Sequence, residues 1–125
     1  FLSDTPEQIS SKVSQMITDP QRARRSDPGN PDVCNVFDFH KLYTPAAEVK
    51  EIDRDCRTAQ IGCVECKKKM ALNLIKALEP IREKRAYYEA HPQQVDEIMA
   101  EGCSRARKTA RRTMESVRAA IKING

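Results

Sequence analysis

The sequence predicts an all-α protein, a small bundle of about five helices with a Pro-rich loop near the N-terminus. Three observations carry that expectation. Aromatic residues make up 5% and Trp is absent, too little for an aromatic-rich sandwich or barrel. Apolar residues recur three and four apart in several windows, the period of one helix face. Thr-Pro pairs open two of those windows, and Pro is pre-organised for the first helical position. At 125 residues the chain is one domain's worth, long enough to hide roughly two-thirds of its unfolded surface.

The first helix is set by Thr5-Pro6-Glu7-Gln8, which places a hydroxyl at the N-cap, Pro next to it and an amide three residues on, a capping box. Ile9, Val13 and Met16 share its apolar face, and it is expected to stop before Asp19-Pro20. Residues 18–32 hold Pro20, Pro28, Gly29 and Pro31 among Arg and Asp, and cannot run as a regular element. Val33, Val36, Phe37 and His40 fall at helical spacing while Phe37 and Phe39 alternate like a strand; a short helix is favoured over 33–43. Thr44-Pro45 repeats the cap-plus-Pro signal ahead of Val49, Ile52 and Cys56, predicting a helix over about 45–55, and Gly62 marks a turn.

Ala71, Leu74, Leu78, Ile81, Arg85 and Tyr88 continue a helical stripe from 63 to about 90, with a kink or break expected at Pro80. His91-Pro92 ends it. The last helix, over about 93–121, carries a core stripe on Val95, Met99, Cys103, Ala106, Ala110, Val117 and Ile121, with Cys103 read as a small buried residue. The organisation expected is a first helix and Pro/Arg-rich connecting loop over 1–32, followed by a helical domain over 33–125.

Several classes are excluded. Charges interrupt every apolar stretch well short of the roughly 18 residues a membrane helix needs. Four scattered glycines, Gly29, Gly62, Gly102 and Gly125, spell neither a dinucleotide fingerprint nor a phosphate-cradling loop. His40 and His91 lie near no nucleophile pattern and read as surface or capping residues, so no catalytic constellation is found. The opening at Phe1, without Met or a signal-type start, reads as a piece of a longer chain.

Charge is uneven along the chain. Residues 1–66 hold 8 Lys and Arg against 11 Asp and Glu, a net of −3, whereas residues 67–125 hold 14 against 7, a net of +7. A basic half is the electrostatic footprint of a nucleic-acid face, and equally that of a solvated helix surface.

Five cysteines fall at 34, 56, 63, 66 and 103, and the first four spell C-x21-C-x6-C-x2-C. Cys63 and Cys66 stand at a predicted helix start and aim two sulfurs into one site. Cys56 is expected to fold back across the Gly62 turn as a third, and Cys34 would close the shell from a separate element. Four thiolates suit tetrahedral zinc or a [4Fe-4S] cluster, and spacing alone leaves both open. Either centre carries net negative charge, which Lys67, Lys68 and Lys69 and the helix N-terminus would offset.

The residues are specific enough to show a resemblance. Met16-Ile17-Thr18-Asp19-Pro20, Arg22, Arg24, Arg25 and Asp27-Pro28-Gly29-Asn30-Pro31 resemble the segment that opens the C-terminal region of bacterial tryptophanyl-tRNA synthetases. Ile61-Gly62-Cys63-Val64-Glu65-Cys66-Lys67-Lys68, Leu78-Glu79-Pro80-Ile81-Arg82-Glu83 and Ile98 through Cys103 to Ala110 are similar to the same family, so that the match covers nearly the whole chain.

The resemblance implies a helical tRNA(Trp) anticodon-binding region that follows a catalytic half. That half binds ATP and tryptophan, is absent here, and belongs to a cytoplasmic homodimeric ligase. A fragment without it is expected to activate no amino acid. The resemblance also extends to the subset of members with a four-cysteine [4Fe-4S] cluster, whose ligands map onto Cys34, Cys56, Cys63 and Cys66, the first gap being one residue shorter here. Arg22, Arg24, Arg25, Arg57, Lys67 and Lys68 are the RNA-binding candidates by position. Two other classes stand beside this reading: a zinc- or cluster-bearing DNA-binding regulator using the last basic helix, and a helical interaction module with incidental cysteines.

Overall fold

The computed structural model describes residues 1–122. Its fold is all-α, as the sequence predicts: α1 (Pro6–Gln15), α2 (Asn35–Tyr43), α3 (Ala46–Arg57), α4 (Cys63–Ala90) and α5 (Pro92–Ala120), with a 3-10 turn at Pro31–Val33 and no strand among the described residues. The chain divides into two compact units, Phe1–Arg82 and Glu83–Gly125.

The first unit holds the core. Helix α1 starts on the expected capping box, with Gln8 N–H donating to Thr5 Oγ1 at 3.3 Å and Thr5 N–H donating to Gln8 Oε1 at 2.9 Å. Its Ile9 and Val13 join Val36 and Phe37 of α2, Ile52 of α3, Ile61, and Met70, Ala71 and Leu78 of α4 in one buried cluster. Each large apolar side chain of this kind contributes about 1.5–3 kcal/mol by leaving water, so α1 is bound to the rest by its apolar face. The 16–30 segment is irregular, as its Pro and Gly content predicts, yet it is tied down. Buried Asp19 accepts from Gln21 N–H and from Asn30 N–H, both at 2.9 Å, and Asp27 accepts from Arg24 N–H at 2.8 Å.

Two sequence expectations need correction in this unit, and of the kink or break expected at Pro80 the break does not occur. Thr44 does not cap α3; Pro45 occupies that position without a side-chain bond, because the Thr44 hydroxyl is engaged 2.8 Å from His40 Nδ1. The backbone reversal before α4 falls on Ala59, whose φ is 57°, and not on Gly62. At Pro80 no break occurs: α4 is one helix from Cys63 to Ala90. There Arg82 Nη2 donates to the Ile75 carbonyl at 3.3 Å.

In the second unit the end of α4 and α5 flank His91, which caps α5 and stacks on Tyr87 with ring centroids 4.4 Å apart. No described residue of α5 is buried, and Cys103 is exposed, contrary to the core position read from its stripe. The 3.6 period is present on α5, but two helical segments alone give that face nothing to close against.

Candidate cysteine centre and basic groove

The local folding of the first unit draws four cysteines from different settings toward one place. Cys34 is buried between the 3-10 turn and α2, its N–H donating to the Pro31 carbonyl at 3.1 Å and its carbonyl accepting from Phe37 N–H at 2.9 Å. Cys56 is half-buried in the last turn of α3, Cys63 opens α4, and Cys66 lies buried one turn further. Cys34 and Cys66 belong to the core, and Cys56 packs against it. Arg22 Nη1 links two of the four, 3.9 Å from Cys56 Sγ and 3.8 Å from Cys63 Sγ.

Electrostatics report the same proximity. Burial pushes the Cys66 thiol up to about 12, and the sulfurs of Cys34, Cys56 and Cys63 push the same way, against Lys69. Burial also raises the Cys56 thiol, with Arg22 opposing and Cys34 and Cys63 adding. Without a positive centre these two thiols are neutral at neutral pH, and metal binding would release their protons. The donor set is all sulfur, which suits soft transition-metal centres. Among the described residues no group of three or more His, Cys, Asp or Glu is arranged to hold a metal ion.

The loop closes over this set at Gly29, whose N–H donates to the Cys56 carbonyl at 2.9 Å. Arg22 fastens the same loop through Nη2, which donates to the Arg25 carbonyl at 2.8 Å and to the Ile61 carbonyl at 2.9 Å. Its Nε is buried without a partner among the described residues.

Sequence reasoning missed His40. Expected at the surface or at a cap, it is fully buried. Its Nε2 lies 3.3 Å from the Cys66 carbonyl and 3.4 Å from Cys66 Sγ. Burial lowers its pKa and favours the neutral ring. The one available signal was the His40/Thr44 pair, four apart, which can bond across one helical turn.

Beside Cys63 runs a groove of about 470 Å³ lined by Arg22, Arg24, Arg25, Glu65 and Lys68 among others. Four of the six RNA-binding candidates therefore share one surface. Arg24, Arg25 and Lys68 are exposed there, whereas the Arg22 guanidinium turns inward. The other two lie elsewhere in the unit. Lys67 donates to the Ser14 carbonyl at 2.9 Å, and Arg57 is paired with Asp32 at 2.9 Å and Asp53 at 3.2 Å.

The first unit is thus an all-α module that carries clustered thiols beside a groove rich in basic residues. Its family follows from comparison: the family model described as tRNA synthetases class I (W and Y) matches residues 1–79, and the chain belongs to that family. It is 45% identical over 124 residues to the tryptophan–tRNA ligase of Aquifex aeolicus, covering 98% of this chain and 31% of that protein. The Thermotoga maritima tryptophan–tRNA ligase is 39% identical over 123 residues, covering 98% of this chain and 38% of the relative. That of Deinococcus radiodurans is 40% identical over 107 residues, covering 86% and 32%. The chain thus spans about a third of the length of these relatives.

Proposed function

We propose that the chain is the C-terminal, anticodon-binding region of a bacterial tryptophan–tRNA ligase, and that Cys34, Cys56, Cys63 and Cys66 hold a [4Fe-4S] cluster that pins its fold. The observation that carries this reading is the convergence of four thiols from three segments beside a groove edged by Arg24, Arg25 and Lys68. Around a single zinc ion, four thiolates would stand roughly 3.8 Å apart given Zn–S bonds near 2.3 Å. An iron-sulfur core spreads its four thiolate ligands over several irons, and the all-sulfur donor set suits it.

The chain's own residues divide the work. Arg22 holds a fixed positive charge against Cys56 and Cys63 while tying the loop to Ile61. When bound, the cluster supplies a cross-link between loop, α2, α3 and α4. Arg24, Arg25 and Lys68 meet the anticodon loop, guanidinium planes stacking on unpaired bases and ammonium groups facing phosphates. Arg22 lines the same groove, while Arg57 and Lys67 act from other faces of the unit, each of the three also bonded within the protein. In the whole enzyme, a cytoplasmic homodimer, tryptophan and ATP bind to a catalytic half outside this chain.

Binding measured at one salt concentration tests the reading. Preference for tRNA(Trp) over the same tRNA with a changed anticodon, and over duplex DNA, is the expected result, with no ATP–pyrophosphate exchange. Tighter binding to the duplex would overturn it in favour of a DNA-binding regulator. Indifference to the anticodon would leave only a general polyanion surface.

A further inference from the structure

We infer that His40 is a positioning residue for the cysteine centre, its Nε2–H shared between the carbonyl and the sulfur of Cys66 and its Nδ1 held by Thr44, which Asn73 engages in turn. The inference rests on the reading of Cys66 as a cluster ligand. It is carried by a continuous run of buried and half-buried polar groups from Glu48 on α3 to Cys66 on α4.

The bond directions in that run are anchored at its two ends, an amide N–H donor at Asn73 and a carbonyl acceptor at Cys66. Asn73 Nδ2 donates to Glu48 Oε2 at 3.4 Å and to Thr44 Oγ1 at 2.9 Å, so Thr44 accepts on that side. Thr44 keeps one hydroxyl proton, and His40 Nδ1 lies 2.8 Å from its oxygen. With the hydroxyl donating to Nδ1, the ring proton resides on Nε2. The far side of the ring demands the same placement. Nε2 faces the Cys66 carbonyl at 3.3 Å and the Cys66 sulfur at 3.4 Å, and once that sulfur is a thiolate ligand both are acceptors only. A bare Nε2 there would set lone pair against lone pair.

Two consequences follow for the centre. An N–H donor on a ligating sulfur withdraws charge from it, which favours the more negative, reduced state and raises the reduction potential. The same bond fixes the Cys66 side chain toward the other thiols, and His40 is held for that purpose by a fully buried ring. The two ends of the thiol set have different partners among the described residues: Arg22 at Cys56 and Cys63, His40 at Cys66.

The test uses the 125-residue chain with its cluster assembled anaerobically, in wild type, His40→Leu and Thr44→Val. Iron content, midpoint potential at an electrode and the rate of iron loss to a chelator are read for each, with helix content by circular dichroism. His40→Leu is expected to shift the potential to more negative values and to lose iron about 10- to 100-fold faster. Thr44→Val leaves the imidazole in place and removes its proton donor together with the acceptor for Asn73 Nδ2, so a smaller change of the same sign is expected; it decides the question if His40→Leu does not fold. Wild-type potential and wild-type iron loss in the folded variants would overturn the role given to His40 and leave the cluster standing. A wild-type chain that takes up no iron would instead overturn the cluster reading itself.

Discussion

Gly29 and Cys56 approach each other so closely that a Cβ at position 29 would meet the Cys56 sulfur at 2.6 Å, while the Gly29 N–H donates to the Cys56 carbonyl at 2.9 Å. The glycine is required by space and not by backbone twist, since its φ is not positive. Gly29→Ala is therefore expected to push the thiol or the loop aside, costing about 1–3 kcal/mol and lowering the iron held per chain. Iron analysis with a thermal melt checks it; unchanged iron and Tm would show that the loop yields freely.

The cysteines are expected to separate into two groups. Cys63→Ser removes a proposed ligand that also faces Arg22, and should abolish cluster assembly and lower the Tm. Cys103→Ser changes an exposed residue and should stay within about 0.5 kcal/mol of wild type with full iron content. Equal effects from both would dissolve the distinction between the four-cysteine set and the fifth.

The groove makes an electrostatic prediction of its own. Replacing Arg24, Arg25 or Lys68 by Gln should weaken tRNA binding and reduce the slope of log affinity against log salt by about 1 for each phosphate no longer neutralised. Arg57→Gln should do less, because Asp32 and Asp53 already hold that guanidinium. Titrations at several salt concentrations separate the two outcomes.

Acid should loosen the first unit through Asp4. Its carboxyl is held below the usual carboxylate range chiefly by the Lys12 ammonium at 2.7 Å. A lowered folded-state pKa contributes stability that is present above the unfolded value near 3.8 and is lost as the pH falls through the folded value. Melting curves from pH 6 downward should show Asp4→Asn losing less stability than wild type below pH ~4. Parallel curves would remove Asp4 from the acid response.

Much of the fold was legible because local signals agreed with tertiary packing. The Thr5/Gln8 box and the Ile9/Val13 face fixed α1, and Cys63 was recognisable as the first residue of a helix. Thr44-Pro45 shows where such reading stops: the same dipeptide signal as Thr5-Pro6 stands there, but a buried imidazole competes for the hydroxyl. Cys103 shows a second limit, since periodicity identifies an apolar face without saying what will cover it. At the site, spacing related Cys56, Cys63 and Cys66. The inward turn of Arg22 and the place of His40 depend on pairings 41 and 26 residues apart in sequence, which no local pattern encodes.

The central claim is that Cys34, Cys56, Cys63 and Cys66 jointly hold one iron-sulfur centre. Anaerobic iron, sulfide and zinc analysis with a visible spectrum, on wild type and Cys34→Ser, addresses it most directly. About four irons and matching sulfide per wild-type chain, a broad brown absorption, and loss of both in Cys34→Ser are expected. Stoichiometric zinc without sulfide, or a Cys34→Ser chain as rich in iron as wild type, would contradict it.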